Sequence, residues 1–246
     1  MLVGVETAKT LSCVWKKPII AVPHLLAHVY ANWVNGSNPQ FPAMVLTVAG
    51  GHTDLILMRG HGEFEIVGGT RDDAAGETFD KAARLIDLPY PGGPSIQKEA
   101  LSGDPKKVDL PRPMIASHDF DFSFSGLKTA IAKEVSKKMF TKADIAAGVQ
   151  EAIADILTRK TIQAAKHYNV KNILVAGGVA ANSRLRELLA ERSSIPVFVP
   201  PIGLCTDNAT FIASYAFFNF HPVSFDKIEA IPDPLISLER YANYKN

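Results

Sequence analysis

The chain has 246 residues, 47% of them hydrophobic and 21% charged, with a net charge of +1; this is the balance of a globular protein with a sizeable core and excludes a disordered or fibrous chain. No apolar run reaches the roughly 20 residues needed to span a membrane and the N-terminus lacks a secretory signal pattern, so the chain reads as cytoplasmic, with no membrane partner. Two cysteines, Cys13 and Cys205, exclude a disulfide framework and read as buried small apolar residues.

Helical and strand-like patterns alternate along the chain. Helical periodicity covers Glu6–Trp15, a strand-like run follows at Ile19–Val22, and a second helical segment runs over Pro23–Trp33. The turn-rich stretch from 35 to 42 (NGSNPQFP) reads as a lobe boundary. Beyond it come the strands Ala43–Val48, Asp54–Met58 and Phe64–Val67, and the helices Asp73–Ile86, Gly126–Lys138 and Lys142–His167. The strand Asn172–Ala176, the helix Ser183–Glu191, the strand Val197–Val199, the helix Asp207–Phe218 and an extended tail over Ile228–Asn246 complete a mixed α/β chain. Three basic pairs, Lys106-Lys107, Lys137-Lys138 and Arg159-Lys160, read as solvated faces.

The run from Asp72 to Pro94 (DDAAGETFDKAARLIDLPYPGGP) is the most informative stretch. It places carboxylates before an amphipathic helix, turns Asp73, Glu77, Asp80 and Lys81 away from the apolar stripe, and reads Pro91-Gly92-Gly93-Pro94 as a stop where backbone can approach a ligand. His24 and His28, four apart, share one helix face at a spacing that can hold a metal ion, or are simply two partly buried histidines. Leu25 stands where a zinc peptidase of the His-Glu-x-x-His type needs its general base, which disfavours a peptidase. Gly50-Gly51 lies between two apolar runs as a hairpin turn, and Gly177-Gly178 follows a buried strand ahead of a helix; together they point to a nucleotide held between them. Asp207 reads as a carboxylate at the start of the last helix, where it can also serve as a cap.

Six segments in order resemble one family: His24-x-x-x-His28, Gly50-Gly51-His52-Thr53, the Asp72–Pro94 run, the segment from Phe122 to Thr129 (FSFSGLKT), the segment from Ala176 to Asn182 (AGGVAAN) and Cys205-Thr206-Asp207-Asn208. They look like the TsaD family, the tRNA N6-adenosine threonylcarbamoyltransferases once described as O-sialoglycoprotein endopeptidases. The resemblance implies the actin-like ATPase fold of sugar kinases and Hsp70, with a cleft between two lobes. It implies that His24, His28 and Asp207 bind one divalent metal ion, iron(II) ahead of zinc. It further implies that Thr47, Val48, Ala49, Gly50, Gly51, Asp80, Gly93 and Asn182 contact threonylcarbamoyl-AMP. The implied partners are tRNA, a paralogous actin-like subunit and a small ATPase of the modification complex.

The sequence departs from the family pattern twice. Ala49 stands where the family has serine before Gly-Gly, and Met1–Lys9 matches the helix just ahead of the metal histidines rather than the family's opening strands. The expectation is an incomplete first lobe: 1–41 as its remnant with the metal histidines, 42–206 as the second lobe, and 207–246 as closing helix and tail. The helices Glu6–Trp15 and Pro23–Trp33 and the strand Ile19–Val22 are then expected to lack packing partners, leaving the chain prone to associate and poorly active. The rival reading is a non-catalytic nucleotide-binding subunit or an inactive truncated homologue that scaffolds a partner; three retained metal ligands argue against it.

Overall fold

The computed structural model describes residues 2–34 and 36–228. In chain order the elements are α1 (Leu2–Trp15), β1 (Ile19–Ile20), α2 (His24–Val29) with a 3-10 turn over Tyr30–Trp33, β2 (Ala43–Val48), β3 (Thr53–Gly60), β4 (Glu63–Gly69), α3 (Ala75–Leu85) and α4 (Gly92–Ala100). There follow α5 (Ser125–Lys137), α6 (Lys142–His167), β5 (Asn172–Ala176), α7 (Ser183–Arg192), β6 (Val197–Phe198), α8 (Ala209–Phe218) and β7 (Pro222–Val223). The tail expected over Ile228–Asn246 lies, beyond Ile228, outside the described residues.

Five strands form one mixed sheet in the order β4-β3-β2-β5-β6. The hairpins β2–β3 and β3–β4 are antiparallel, whereas β5 runs parallel to β2 and β6 parallel to β5. Every residue of β2 and β5 is buried, as expected of central strands covered on both faces. On one face Met44, Leu46, Val48, Leu55, Leu57, Ile173 and Val175 pack into a core with α3, α4, α6 and α7. On the other, Ala43, Val45, Ile56, Met58, Leu174 and Ala176 meet Leu26, Ala27 and Val29 of α2 and Phe211 and Tyr215 of α8. The result is a helix, sheet, helix sandwich in which the neighbouring parallel strands β2 and β5 end side by side at Val48 and Ala176.

Several expectations change. Pro91-Gly92-Gly93-Pro94 does not merely stop a helix: α3 ends at Leu85, and Gly92 opens α4, with Pro91 at its N-cap. Proline fits the start of a helix because the first N–H groups have no intrahelical acceptor. The segment Pro23–Trp33 does not lack partners; Leu26, Ala27, Val29 and Tyr30 are fully buried. Ile19-Ile20 pairs with Pro222-Val223 in a separate two-stranded sheet. Cys13 is exposed, while Cys205 is buried as expected. Lys160 is no solvated cation: it is fully buried, and its ammonium donates to Ser117 Oγ at 2.6 Å and to the Asp119 carbonyl at 2.8 Å.

Candidate functional site

His24 and His28 sit on the short α2, whose other face is fixed between the sheet and α8. Their Nε2 atoms lie 3.2 Å apart. Asp207, contributed from the far end of the chain, brings Oδ1 to 3.3 Å from His24 Nε2 and 3.2 Å from His28 Nε2. Adjacent ligands about 2.1 Å from one ion, at tetrahedral or octahedral angles, are about 3.0–3.4 Å apart. The three donor atoms therefore fit a single metal ion, and together they offer two imidazoles and one hard oxygen.

The local sequence explains why Asp207 is available. Asp207 reads as a helix cap, but the cap is Asn208, whose Oδ1 accepts from the N–H groups of Thr210 at 2.9 Å and Phe211 at 3.2 Å. The neighbouring carboxylate is left exposed and turned toward the histidines. Phe211, one turn into α8, packs against the His28 ring with centroids 4.2 Å apart and so orients it. Burial, helped by the nearby His24 and opposed by Asp207, holds the His28 imidazole below its ordinary pKa. A neutral imidazole is the form that can ligate a metal.

The glycine turns gather where β2 and β5 end. The Gly50-Gly51 turn closes the β2–β3 hairpin, with Ala49 N–H donating to the His52 carbonyl at 2.9 Å. Neither glycine N–H has an acceptor among the described residues, and a Cβ on either would meet only open space. These two donors are therefore unengaged, as an anion site requires. The hairpin's own carbonyls are engaged from behind: Gly76 N–H donates to Ala49 O at 3.2 Å and Glu77 N–H to Gly50 O at 3.0 Å. Next to it Gly177, at φ +95°, lies so close to the Val48 carbonyl that a Cβ would come within 2.4 Å.

The remaining expected residues have mixed surroundings. Thr47 and Val48 bury their side chains in β2, and Thr47 Oγ1 donates to the Asp54 carbonyl at 3.4 Å. Asp80 accepts from Gly92 N–H at 2.7 Å through Oδ1, and borders an open pocket of about 450 Å³ with Glu77, Lys81, Arg84, Tyr90 and Gly92. Gly93 faces open space, whereas Gly92 packs its backbone on Asp80. Asn182 is the N-cap of α7: Oδ1 accepts from Leu185 N–H at 3.1 Å and Nδ2 donates to Gln150 Oε1 at 3.1 Å.

The acidic start of the Asp72–Pro94 run has internal partners. Asp72 accepts from Phe124 N–H at 2.7 Å and Ser125 N–H at 3.2 Å, and from the Ser125 hydroxyl at 2.8 Å. Asp73 and Glu77 both pair with Lys81, at 2.6 and 2.9 Å. Asp72 thus ties the start of α3 to the start of α5, while Asp73 and Glu77 pair within the α3 segment itself.

Sequence reasoning gave Gly76 no role and read Gly92 and Gly177 as places for a ligand, whereas the missing Cβ at all three lets backbone pack on backbone within the fold. It also passed over His52. Burial, then the adjacent His24, holds its imidazole below the ordinary pKa, so the hairpin stands beside the histidine pair. The signal was present in the Gly-Gly-His-Thr motif but was read only through its glycines.

The family model described as tRNA N6-adenosine threonylcarbamoyltransferase, TsaD, matches residues 1–214. A Dehalococcoides mccartyi protein of that name is 52% identical over 240 residues, covering 97% of this chain and 73% of its own. One from Thermomicrobium roseum is 46% identical over 248 residues, covering 89% of this chain and 68% of its own. Among solved structures, Thermococcus kodakarensis HypF superposes with a TM-score of 0.68 at 14% identity over 88% of this chain and 39% of its own. That likeness shows the fold, an α/β architecture of the actin-like ATPase type.

Proposed function

The chain belongs to the TsaD family, and from that membership we propose that it transfers the threonylcarbamoyl group from threonylcarbamoyl-AMP to the N6 amine of the adenosine beside the anticodon of tRNA. The observation that carries the reading to this chain's own residues is the convergence of His24, His28 and Asp207 within 3.3 Å of one another beside a glycine turn with free N–H donors.

In this reading His24, His28 and Asp207 hold one divalent ion, iron(II) ahead of zinc, which supplies Lewis-acid polarisation of a substrate oxygen when bound. The free N–H groups of Gly50 and Gly51 bind the adenylate phosphate. Thr47, Val48 and Ala49 act through the backbone that positions this turn, and the missing serine hydroxyl at Ala49 leaves those donors in place. Asp80 and Gly93 flank the ribose. Asn182, with both ends of its amide engaged, acts by fixing the loop after β5 rather than by grasping the base itself. The N6 nitrogen attacks the carbamoyl carbon, the new C–N bond forms as the C–O bond to phosphate breaks, AMP departs with the electron pair, and the amine loses a proton. An aromatic amine is a weak nucleophile, so orientation and the activated acyl donor supply most of the advantage.

The division 1–41, 42–206 and 207–246 is kept as a functional one, with the histidines and Asp207 arriving from the two flanking pieces. The paralogous actin-like subunit, the small ATPase and a cytoplasmic setting belong to the same proposal. Among the described residues no helix is long and apolar enough to cross a membrane. A non-catalytic scaffold is disfavoured, because it has no use for three converging metal donors.

The test is a transfer assay: the chain loaded with iron(II) or zinc, given threonylcarbamoyl-AMP and unmodified tRNA, with the modified nucleoside measured by mass spectrometry. Wild type forms it, and His24→Ala loses both stoichiometric metal and product. Metal retained in His24→Ala, or product formed without metal, defeats the assignment.

A further inference from the structure

At Asp155, midway along α6, three guanidinium groups converge on one buried carboxylate. Asp155 is 4% exposed. Its Oδ1 accepts from Arg159 Nε at 2.9 Å and from Arg192 Nη1, and its Oδ2 from Arg112 Nε at 3.4 Å. Arg112 also reaches the exposed Asp109 at 3.9 Å. Burial alone would raise the Asp155 pKa, but hydrogen bonds from Arg192 and Arg159 outweigh it and hold the carboxyl below its ordinary value. The carboxylate is thus a charged anchor that fixes the planes of the guanidiniums around it.

The anchor does not neutralise the cations. Arg159 and Arg192 keep 59% and 36% of their side chains exposed. With Lys166, Ile162 and Gln163 they line an open pocket of about 520 Å³. Lys166 has no ion pair among the described residues. Helix dipoles favour cations in a last turn, which covers Lys166 on α6 and Arg192 on α7. They do not account for Arg159, two turns earlier, or for Arg112 on the loop before α5. A shallow, open surface with fixed guanidiniums and surplus positive charge, in a chain whose net charge is only +1, matches a phosphate-bearing partner. Along α6, Arg159 and Lys166 stand about 14 and 24 Å from Gln150, the residue that holds Asn182, at 1.5 Å rise per residue. A ligand touching both places must be long.

We propose that the Arg159, Lys166 and Arg192 pocket docks the phosphate backbone of the RNA acceptor at a point remote from the reacting nucleotide. This rests on the reading of tRNA as acceptor. The contact is sequence-independent, so it supplies affinity and registers the RNA against the site without reading its bases.

The experiment measures binding of unmodified tRNA by the full chain over a range of salt concentrations. It compares wild type, the double variant Arg159→Gln with Lys166→Gln, which leaves Arg192 and Arg112 on Asp155, and the control Lys137→Gln with Lys138→Gln. Unchanged metal content in both variants, and a cooperative unfolding transition that in the pocket variant is lowered only by the lost Arg159 bond to Asp155, show that they fold. The pocket variant should bind tRNA roughly tenfold more weakly near 0.1 M salt, with the slope of log affinity against log salt shallower by about 1.5–2. The control should stay within about twofold of wild type, because it removes the same charge elsewhere. If wild type binds and modifies tRNA while the pocket variant matches it, the pocket is wrong and the acceptor reading stands. Equal losses in both variants reduce the effect to general charge and also overturn the proposal. If the pocket variant loses binding of inorganic phosphate while tRNA affinity holds, the pocket is a small-anion site and the proposal fails. If wild type itself neither binds nor modifies tRNA, the acceptor reading falls and takes this inference with it.

Discussion

Helices α1 and α2 are neighbours in sequence and have opposite fates. α1 runs for 14 residues without one buried residue, and exposes Leu2, Val3, Val14 and Trp15. α2 is six residues long and buries Leu26, Ala27, His28 and Val29. Length favours α1, yet the shorter helix is the one the fold holds. The difference is the partner. α2 lies on the sheet beneath α8, whereas the contacts of α1 are with β1 and the turn at Phe225–Lys227. A helix this short is not stable by propensity alone and takes its stability from the surface it covers. That is a good platform for metal ligands, because imidazoles on a packed helix keep their geometry.

The largest effect that sharpens this contrast is in the packing itself. Leu26→Ala, at a fully buried position, should cost about 2–5 kcal/mol of stability. Val14→Ala on α1, 68% exposed in the wild type, should stay within about 0.5 kcal/mol. Denaturant unfolding of the two variants checks both values. Equal costs would mean that α1 has a partner as firm as that of α2.

A smaller effect comes from the sheet face that α2 covers. Asp54 lies on β3 two residues before Ile56, which belongs to the α2 side of the core, so by strand alternation it points the same way. Burial pushes its carboxyl from the ordinary 3.8 up to about 6. With the folded value above the unfolded one, the unfolded state ionises first: the native fold is unpenalised below about pH 4 and loses stability as pH rises toward 6. At about 1.4 kcal/mol per pKa unit, the penalty at neutral pH is about 2–3 kcal/mol. Asp54→Asn should therefore stabilise the protein by about that amount at pH 7.5 and by nothing below pH 4. Urea melts from pH 4 to 7.5 read the difference; a pH-independent effect would assign it to something other than ionisation.

Much of the fold was legible because periodicity reports burial. Ala43–Val48, Lys142–His167 and Asn172–Ala176 agree with the structure at both ends, since each is long or almost wholly apolar and bounded by turn residues. α4 was not legible: Gly-Gly-Pro has poor helix propensity, and only the Asp80 carboxylate receiving Gly92 N–H and the packing of Gly92 on α3 make a helix start there. The split between α1 and α2 was equally hidden, because periodicity describes a helix and not its neighbour. At the site, the spacing of His24 and His28 could be read as a shared face. That Asp207 joins them rests on tertiary packing of α8 against α2, and only family resemblance anticipated it. The acidic cluster misled in the opposite direction, because composition cannot tell a carboxylate tied to a neighbouring N–H or lysine from one that faces a ligand.

The smallest stability effects fall on adjacent residues and separate cap from ligand. Asn208→Ala removes the side chain that receives Thr210 and Phe211 N–H groups and should cost about 1 kcal/mol. It should leave metal binding nearly intact if Phe211 keeps α8 seated on α2. Asp207→Asn changes an exposed carboxylate that caps nothing, and should shift stability by less than about 0.5 kcal/mol. Its expected signature is in metal affinity: the amide retains an oxygen but loses the negative charge that complements a divalent ion, so binding should weaken by at least about tenfold. Protons compete with the metal for the His28 imidazole, which burial holds below the ordinary histidine pKa, so the wild type should itself release metal as pH falls below the ordinary histidine range. Metal titration of both variants at fixed pH, beside their melting curves, distinguishes the roles. A destabilised Asp207→Asn with unchanged metal affinity would make Asp207 the cap that its position in sequence suggests, and leave the two histidines without their third donor.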